Sequence, residues 1–109
     1  VIISYLCLGD FGTGNDIQLS VSKLIENLDK NIKCKFIIGL GDNIYPSGIK
    51  NVKDKKLETN FEKPYDNIPK RIQFFNCLGN HDYLGSVKSQ IKYTDYSDRW
   101  VLPSNYYYF

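Results

Sequence analysis

The sequence predicts an α/β fold built on a locally parallel sheet, and three observations predict it. Apolar, strand-like runs alternate with helical or irregular stretches, the pattern of strand–crossover–strand units. Each of three such runs ends in a glycine followed at once by an acid or an amide: Gly9-Asp10, Gly41-Asp42 and Gly79-Asn80. The middle run, Phe36–Leu40, is apolar almost throughout, as expected of a strand buried on both faces.

The first strand is read over Val1–Leu8, where β-branched and aromatic residues accumulate before Gly9. Asn15 and Asp16 can cap a helix that runs to about Lys30, with Ile17, Val21, Leu24 and Leu28 forming its apolar stripe. After the second strand, Lys50–Lys56 reads as a solvated segment. A short helix then presents Leu57, Phe61 and Tyr65 to the core and must stop near Pro64. Ile72–Leu78 is the third strand. Gly85 to Trp100 reads as helical, with Val87, Ile91 and Tyr96 inward, and Tyr106–Phe109 as the start of a further strand.

A length of 109 residues fits one domain or part of one. Val1 opens inside an apolar run without a Met or a charged leader, and Phe109 lies within an aromatic run. The chain is therefore expected to be truncated at both ends of a single domain spanning 1–109. The net charge of +2 is too balanced to argue for nucleic acid or an anionic membrane. No apolar run reaches the roughly 20 residues of a membrane-spanning helix. Cys7, Cys34 and Cys77 lie far apart without a C-x-x-C pair, and read as three small buried hydrophobes. They leave the redox compartment open, and no N-x-S/T sequon helps to place the protein.

The chemistry concentrates in the three turns. In a parallel sheet they meet at one edge, beyond the carboxyl ends of the strands, where ligands of such folds sit. Asp10, Asp42, Asn80, His81, Asp82 and the Tyr45 phenol then share one pocket. So many oxygen donors crowd together only with a cation to offset repulsion and desolvation. Glycine before each lets the backbone turn sharply and approach an ion. A lone Gly-Asp is an ordinary turn; three at successive strand ends, the last followed by His-Asp, are not.

The order GD (9–10), GDN (41–43) and GNHD (79–82) resembles the calcineurin-like metallophosphoesterases. Tyr45, three residues after Asp42, makes the resemblance one to the purple acid phosphatases. The stretches DKKLETNFEKPYD (54–66) and SQIKYTDYSDRWVLP (89–103) resemble the single-domain, tartrate-resistant mammalian type. The resemblance spans essentially the whole chain. It implies the first half of an αββα sandwich, β-α-β-α-β plus a helix and the start of a further strand. It also implies an acid phosphatase that hydrolyses phosphate monoesters at a binuclear centre of Fe(III) and a divalent Fe, Zn or Mn. Carried over residue by residue, Asp10 and Tyr45 would bind the ferric ion and Asp42 would bridge both metals. Asn80 would bind the divalent ion through its amide oxygen. His81 would stand near the leaving group, with Asp82 behind it as orienting partner. Hard carboxylate and phenolate oxygens suit Fe(III), and amide and imidazole donors suit the divalent ion. The implied setting is secreted, lysosomal or vacuolar.

Two departures stand out. The mammalian type has a second histidine after GNHD, where this chain has Tyr83. The family also completes its site with three further histidines, whereas His81 is the sole histidine here. Two alternatives follow: a shortened or inactive domain serving as a binding or scaffold module, or a phosphodiesterase of the same superfamily. A protein phosphatase fits less well, since GDNIYPSG replaces the GDxxDRG of those enzymes.

Overall fold

Four short parallel strands form one sheet in the order β1-β2-β3-β4 in the computed structural model, which describes all residues 1–109. They are β1 Leu6–Leu8, β2 Ile37–Gly39, β3 Phe74–Asn76 and β4 Trp100–Val101. Leu6 pairs with Ile37, Ile37 with Phe74 and Phe74 with Trp100, so sequence neighbours are spatial neighbours throughout. The α/β class with a parallel sheet is as the alternation predicts.

The register puts Ile37, Phe74 and Trp100 in one fully buried row. Phe61 covers that row, 5.0 Å edge-to-face from both Phe74 and Trp100, and Tyr65 and Phe11 complete the aromatic cluster. Phe61 and Tyr65 come from the expected short helix, with Leu57 also buried. Its hydrogen-bonded turn, Glu58–Glu62, is a π-turn rather than an α-turn, closed by the Lys63 N–H on the Glu58 carbonyl. The opposite row, Cys7, Ile38, Phe75 and Val101, is exposed at Cys7 and half-buried elsewhere. Phe109 stacks on Phe75 at 4.0 Å, and the Tyr107 hydroxyl donates to the Asn76 carbonyl at 2.7 Å and lies 3.0 Å from that of Val101.

Helix α1, Asp16–Ile32, starts where the sequence places it, with the Asn15 side chain accepting from the Gln18 N–H. It ends at Lys33 in the left-handed region, whose N–H returns to the Asp29 carbonyl. Its buried face differs from the expected one. Gln18, Ser22, Ile25 and Asp29 face the protein, while Ile17 and Leu24 are 72% and 56% exposed. The inward polar groups are all partnered: Gln18 on the Phe11 carbonyl, Ser22 on Asn67, and Asp29 on Arg71 and the Cys34 N–H. A buried polar side chain with such partners competes on equal terms with an apolar one.

The strands are shorter than the apolar runs, because pairing sets their ends: Val1–Ile3 have no strand beside them. β2 is buried on one face only, with Leu40 58% exposed just beyond it. The expected helix from Gly85 to Trp100 is α2 Val87–Lys92 followed by a 3₁₀ turn, Tyr93–Asp95. Trp100 lies in β4 and Tyr96 points outward. Tyr106–Phe109 is not a strand: Tyr107 and Phe109 reach back to the sheet, while Tyr106 and Tyr108 are exposed. Of the three cysteines only Cys34 is buried; Cys7 and Cys77 are exposed.

Candidate metal centre

Parallel strands bring the three glycine-acid turns to one edge of the sheet, and their backbones interlock there. The Asp10 N–H donates to the Gly41 carbonyl, and the Tyr45 N–H to the Gly12 carbonyl at 2.9 Å. A Cβ on Gly12 would lie 1.8 Å from the Asn43 carbonyl oxygen, and one on Gly79 would lie 2.1 Å from an Asp42 carboxylate oxygen. Only glycine permits either approach. Asp10 and Asp42 both take positive φ, at 52°, a conformation few non-glycine residues adopt outside functional turns.

The result is a convergence of oxygens. The Tyr45 hydroxyl donates to Asp10 Oδ1 and lies 3.0 Å from Asp42 Oδ2. The hydrogen bond to Asp10, with burial and then Asp42 adding to it, holds the phenol proton well above its ordinary pKa. Two carboxylates thus already share one proton-bearing oxygen where a hard cation would be shared. These donors fit Fe(III) in kind: anionic oxygens from two carboxylates and a phenol. They form no cluster of three His, Cys, Asp or Glu side chains. Asn80 sits between Gly79 and His81, both in contact with Asp42, and its own side chain is exposed and free of hydrogen bonds.

His81 joins the same edge by two contacts. Its N–H donates to Asp42 Oδ1 at 3.0 Å, and its ring packs 4.5 Å from that of Tyr45. Ring Nδ1 lies 2.6 Å from the Pro46 carbonyl oxygen, which can only accept, so Nδ1 carries a hydrogen and Nε2 is left free. The expected role of Asp82 as holder of that ring is not what the geometry gives. Asp82 is fully buried and accepts from the Asn43, Ile44 and Gly79 N–H groups and from Gln90 Nε2. It binds the second turn to the third, and Pro46 holds the imidazole.

Several residues that shape the edge escaped the sequence reading. Gln90 links Asp82 to the Asn43 side chain, and Gln18 and the Tyr65 hydroxyl both donate to the Phe11 carbonyl. Asn60 donates to the carbonyls of Gly12 and Tyr45. None of these carries a local motif; the helical spacing of Tyr65 from Phe61 was the one available signal.

The family model for calcineurin-like phosphoesterases matches residues 3–109. Tartrate-resistant acid phosphatase type 5 of Sus scrofa is 34% identical over 113 residues, covering 97% of this chain and 33% of the relative. Purple acid phosphatase 7 of Arabidopsis thaliana is 34% identical over 90 residues, covering 82% and 27%. Among solved structures, "GAP50 the anchor in the inner membrane complex of Plasmodium" superposes with a TM-score of 0.84 at 25% identity, covering 94% of this chain and 34% of that one. The chain thus spans about a third of the length of the curated relatives it matches.

Proposed function

We propose that this chain, which belongs to the calcineurin-like phosphoesterase family, carries the oxygen-donor half of the binuclear centre of an acid phosphatase acting on phosphate monoesters. The convergence of the Tyr45 hydroxyl on Asp10 and Asp42 carries this reading. In it Asp10, Tyr45 and Asp42 would hold Fe(III), and Asp42 and Asn80 would hold a divalent Fe, Zn or Mn. When bound, the two ions supply Lewis-acid stabilisation of both the entering and the leaving oxygen. The complementary donors are assigned to the part of the relatives that this chain does not span. A secreted, lysosomal or vacuolar setting belongs to the same proposal and rests on family likeness.

The residues of the chain then divide the remaining work. Tyr45 would hold the ferric ion as phenolate, and the Asp10 and Asp42 carboxylates that accept its hydrogen in the metal-free protein are the groups that would offset the cation's charge beside it. His81, with its Nδ1–H engaged by Pro46, presents Nε2 outward, and as the imidazolium, with a hydrogen on Nε2 as well, can pass that proton to a departing alkoxide, a poor leaving group without one. Asp82 keeps the Asp42 and Asn80 turns at a fixed separation.

The test is optical. The full-length protein, which in this reading includes the complementary donors, should when loaded with Fe(III) and Zn(II) show a visible phenolate-to-iron charge-transfer band and release phosphate from monoesters, and Tyr45→Phe should abolish the band while the fold persists. Absence of the band from the wild-type protein would sink the ferric-tyrosinate reading. A second reading, a non-catalytic binding or scaffold module, draws support from the structural match to the Plasmodium inner membrane complex anchor. Failure to retain any metal would favour it.

A further inference from the structure

We propose that Asn60 is a positioning residue of this metal centre: it clamps the loop carrying Asp10 to the loop carrying Tyr45 and so sets the spacing of the oxygen donors. The inference rests on the reading of the site given above and adds a residue to it that carries no motif.

The geometry is that of a two-pronged donor. Asn60 Nδ2 donates one hydrogen to the Gly12 carbonyl at 3.0 Å and the other to the Tyr45 carbonyl at 3.3 Å. One acceptor lies two residues beyond Asp10; the other belongs to Tyr45 itself. Of the small neutral side chains only an amide offers two hydrogens on one atom; a hydroxyl offers one and a carboxylate none. The orientation of the amide is set from its other end, where the Thr59 hydroxyl donates to Asn60 Oδ1 at 2.7 Å.

The clamp is anchored as well as aimed. Gln18 Nε2, reaching out of α1, donates to the Asn60 carbonyl and to the Phe11 carbonyl, both at 2.5 Å. The π-turn explains how Asn60 gets there. Its extra residue per turn lets adjacent residues Asn60 and Phe61 both face inward, Phe61 into the aromatic core and Asn60 onto the loops. Such turns recur at functional sites, since they are otherwise a poor way to build a helix. Asn60 touches no candidate ligand side chain. It acts through the backbone from which Asp10 and Tyr45 project.

The experiment uses the full-length protein, complementary donors included, loaded with Fe(III) and Zn(II), and compares Asn60→Asp, Asn60→Ala and Ile72→Ala. Asn60→Asp keeps the size and removes both donor hydrogens; Asn60→Ala removes the prong. Ile72→Ala empties a fully buried position just before β3, at the end of the sheet away from the turns, and serves as the measure of mere destabilisation. Two readouts are taken besides the melting temperature: the visible band and the rate of iron loss to a chelator. Both Asn60 variants should shift or broaden the band and speed iron loss about 10- to 100-fold, the usual effect of losing a residue that orients a ligand. Ile72→Ala should melt at least as early and leave both readouts at wild-type values. Should Asn60→Ala fail to fold, Asn60→Ser, which keeps one donor, should give an intermediate loss. Wild-type band and iron retention in the Asn60 variants would overturn the proposal, as would equal loosening by Ile72→Ala. Wild-type protein with no band would overturn the metal-centre reading and this inference together.

Discussion

Asp82→Asn discriminates most sharply between what sequence and structure say of one residue. If Asp82 orients the His81 ring, the substitution should cost turnover and spare the fold. The structure instead gives its carboxylate four donors: the N–H groups of Asn43, Ile44 and Gly79, and Gln90 Nε2, at 2.8–3.3 Å. Asparagine keeps the shape and one acceptor oxygen but turns an NH₂ group toward at least one of these donors. Hydrogen bonds to a charged acceptor are worth roughly 1.5–3 kcal/mol, and a buried donor left without one costs about 1–3 kcal/mol. Weakening most of the set and orphaning one member amounts to about 2–4 kcal/mol. At about 4–8 °C per kcal/mol for a domain of this size, the melting temperature should fall by roughly 8–32 °C. Urea unfolding followed by Trp100 fluorescence reads the same quantity. Trp100 is the sole tryptophan, fully buried, and its Nε1–H donates to the Gln90 carbonyl, so the probe sits on the network that is perturbed. A midpoint within about 0.5 kcal/mol of wild type, coupled to lost turnover, would refute the structural role and restore the catalytic one.

Two further outcomes follow from the geometry. His81→Ala in the metal-loaded protein should lower kcat for alkyl phosphates about 10²- to 10⁴-fold, the usual worth of a general acid. The loss should be far smaller for nitrophenyl phosphate, whose leaving group needs no proton; equal losses would mean that His81 positions substrate instead. Native thiol labelling should modify Cys7 and Cys77 and spare Cys34 until urea is added. Burial, then the neighbouring Asp82 charge, raises the Cys77 thiol, so its labelling should lag an ordinary exposed thiol at pH 8 and catch up as pH rises; labelling of native Cys34 would contradict its burial.

What the sequence disclosed, and what it hid, divides along the range of the interactions. The turns 9–10, 41–43 and 79–82 were legible because glycine before an acid is local chemistry, and the parallel order of the runs brings them to one edge without further information. The face of α1 was misread because Gln18, Ser22 and Asp29 find partners in Asn60, Asn67 and Arg71, more than 40 residues away, which no periodicity can announce. The setting of Asp82 is hidden for the same reason: adjacency to His81 in sequence suggests a pair, while two of its four donors, Asn43 and Ile44, lie 38–39 residues back. The donors proposed for the metals were thus visible one by one, but the frame that holds them was not. That frame is polar and long-range, built from Gln18, Asn60, Asp82 and Gln90 acting largely on backbone N–H and C=O groups. A side chain that binds backbone leaves no trace in its partner's identity, because every residue has the same carbonyl. Such residues are found only once the chain is folded.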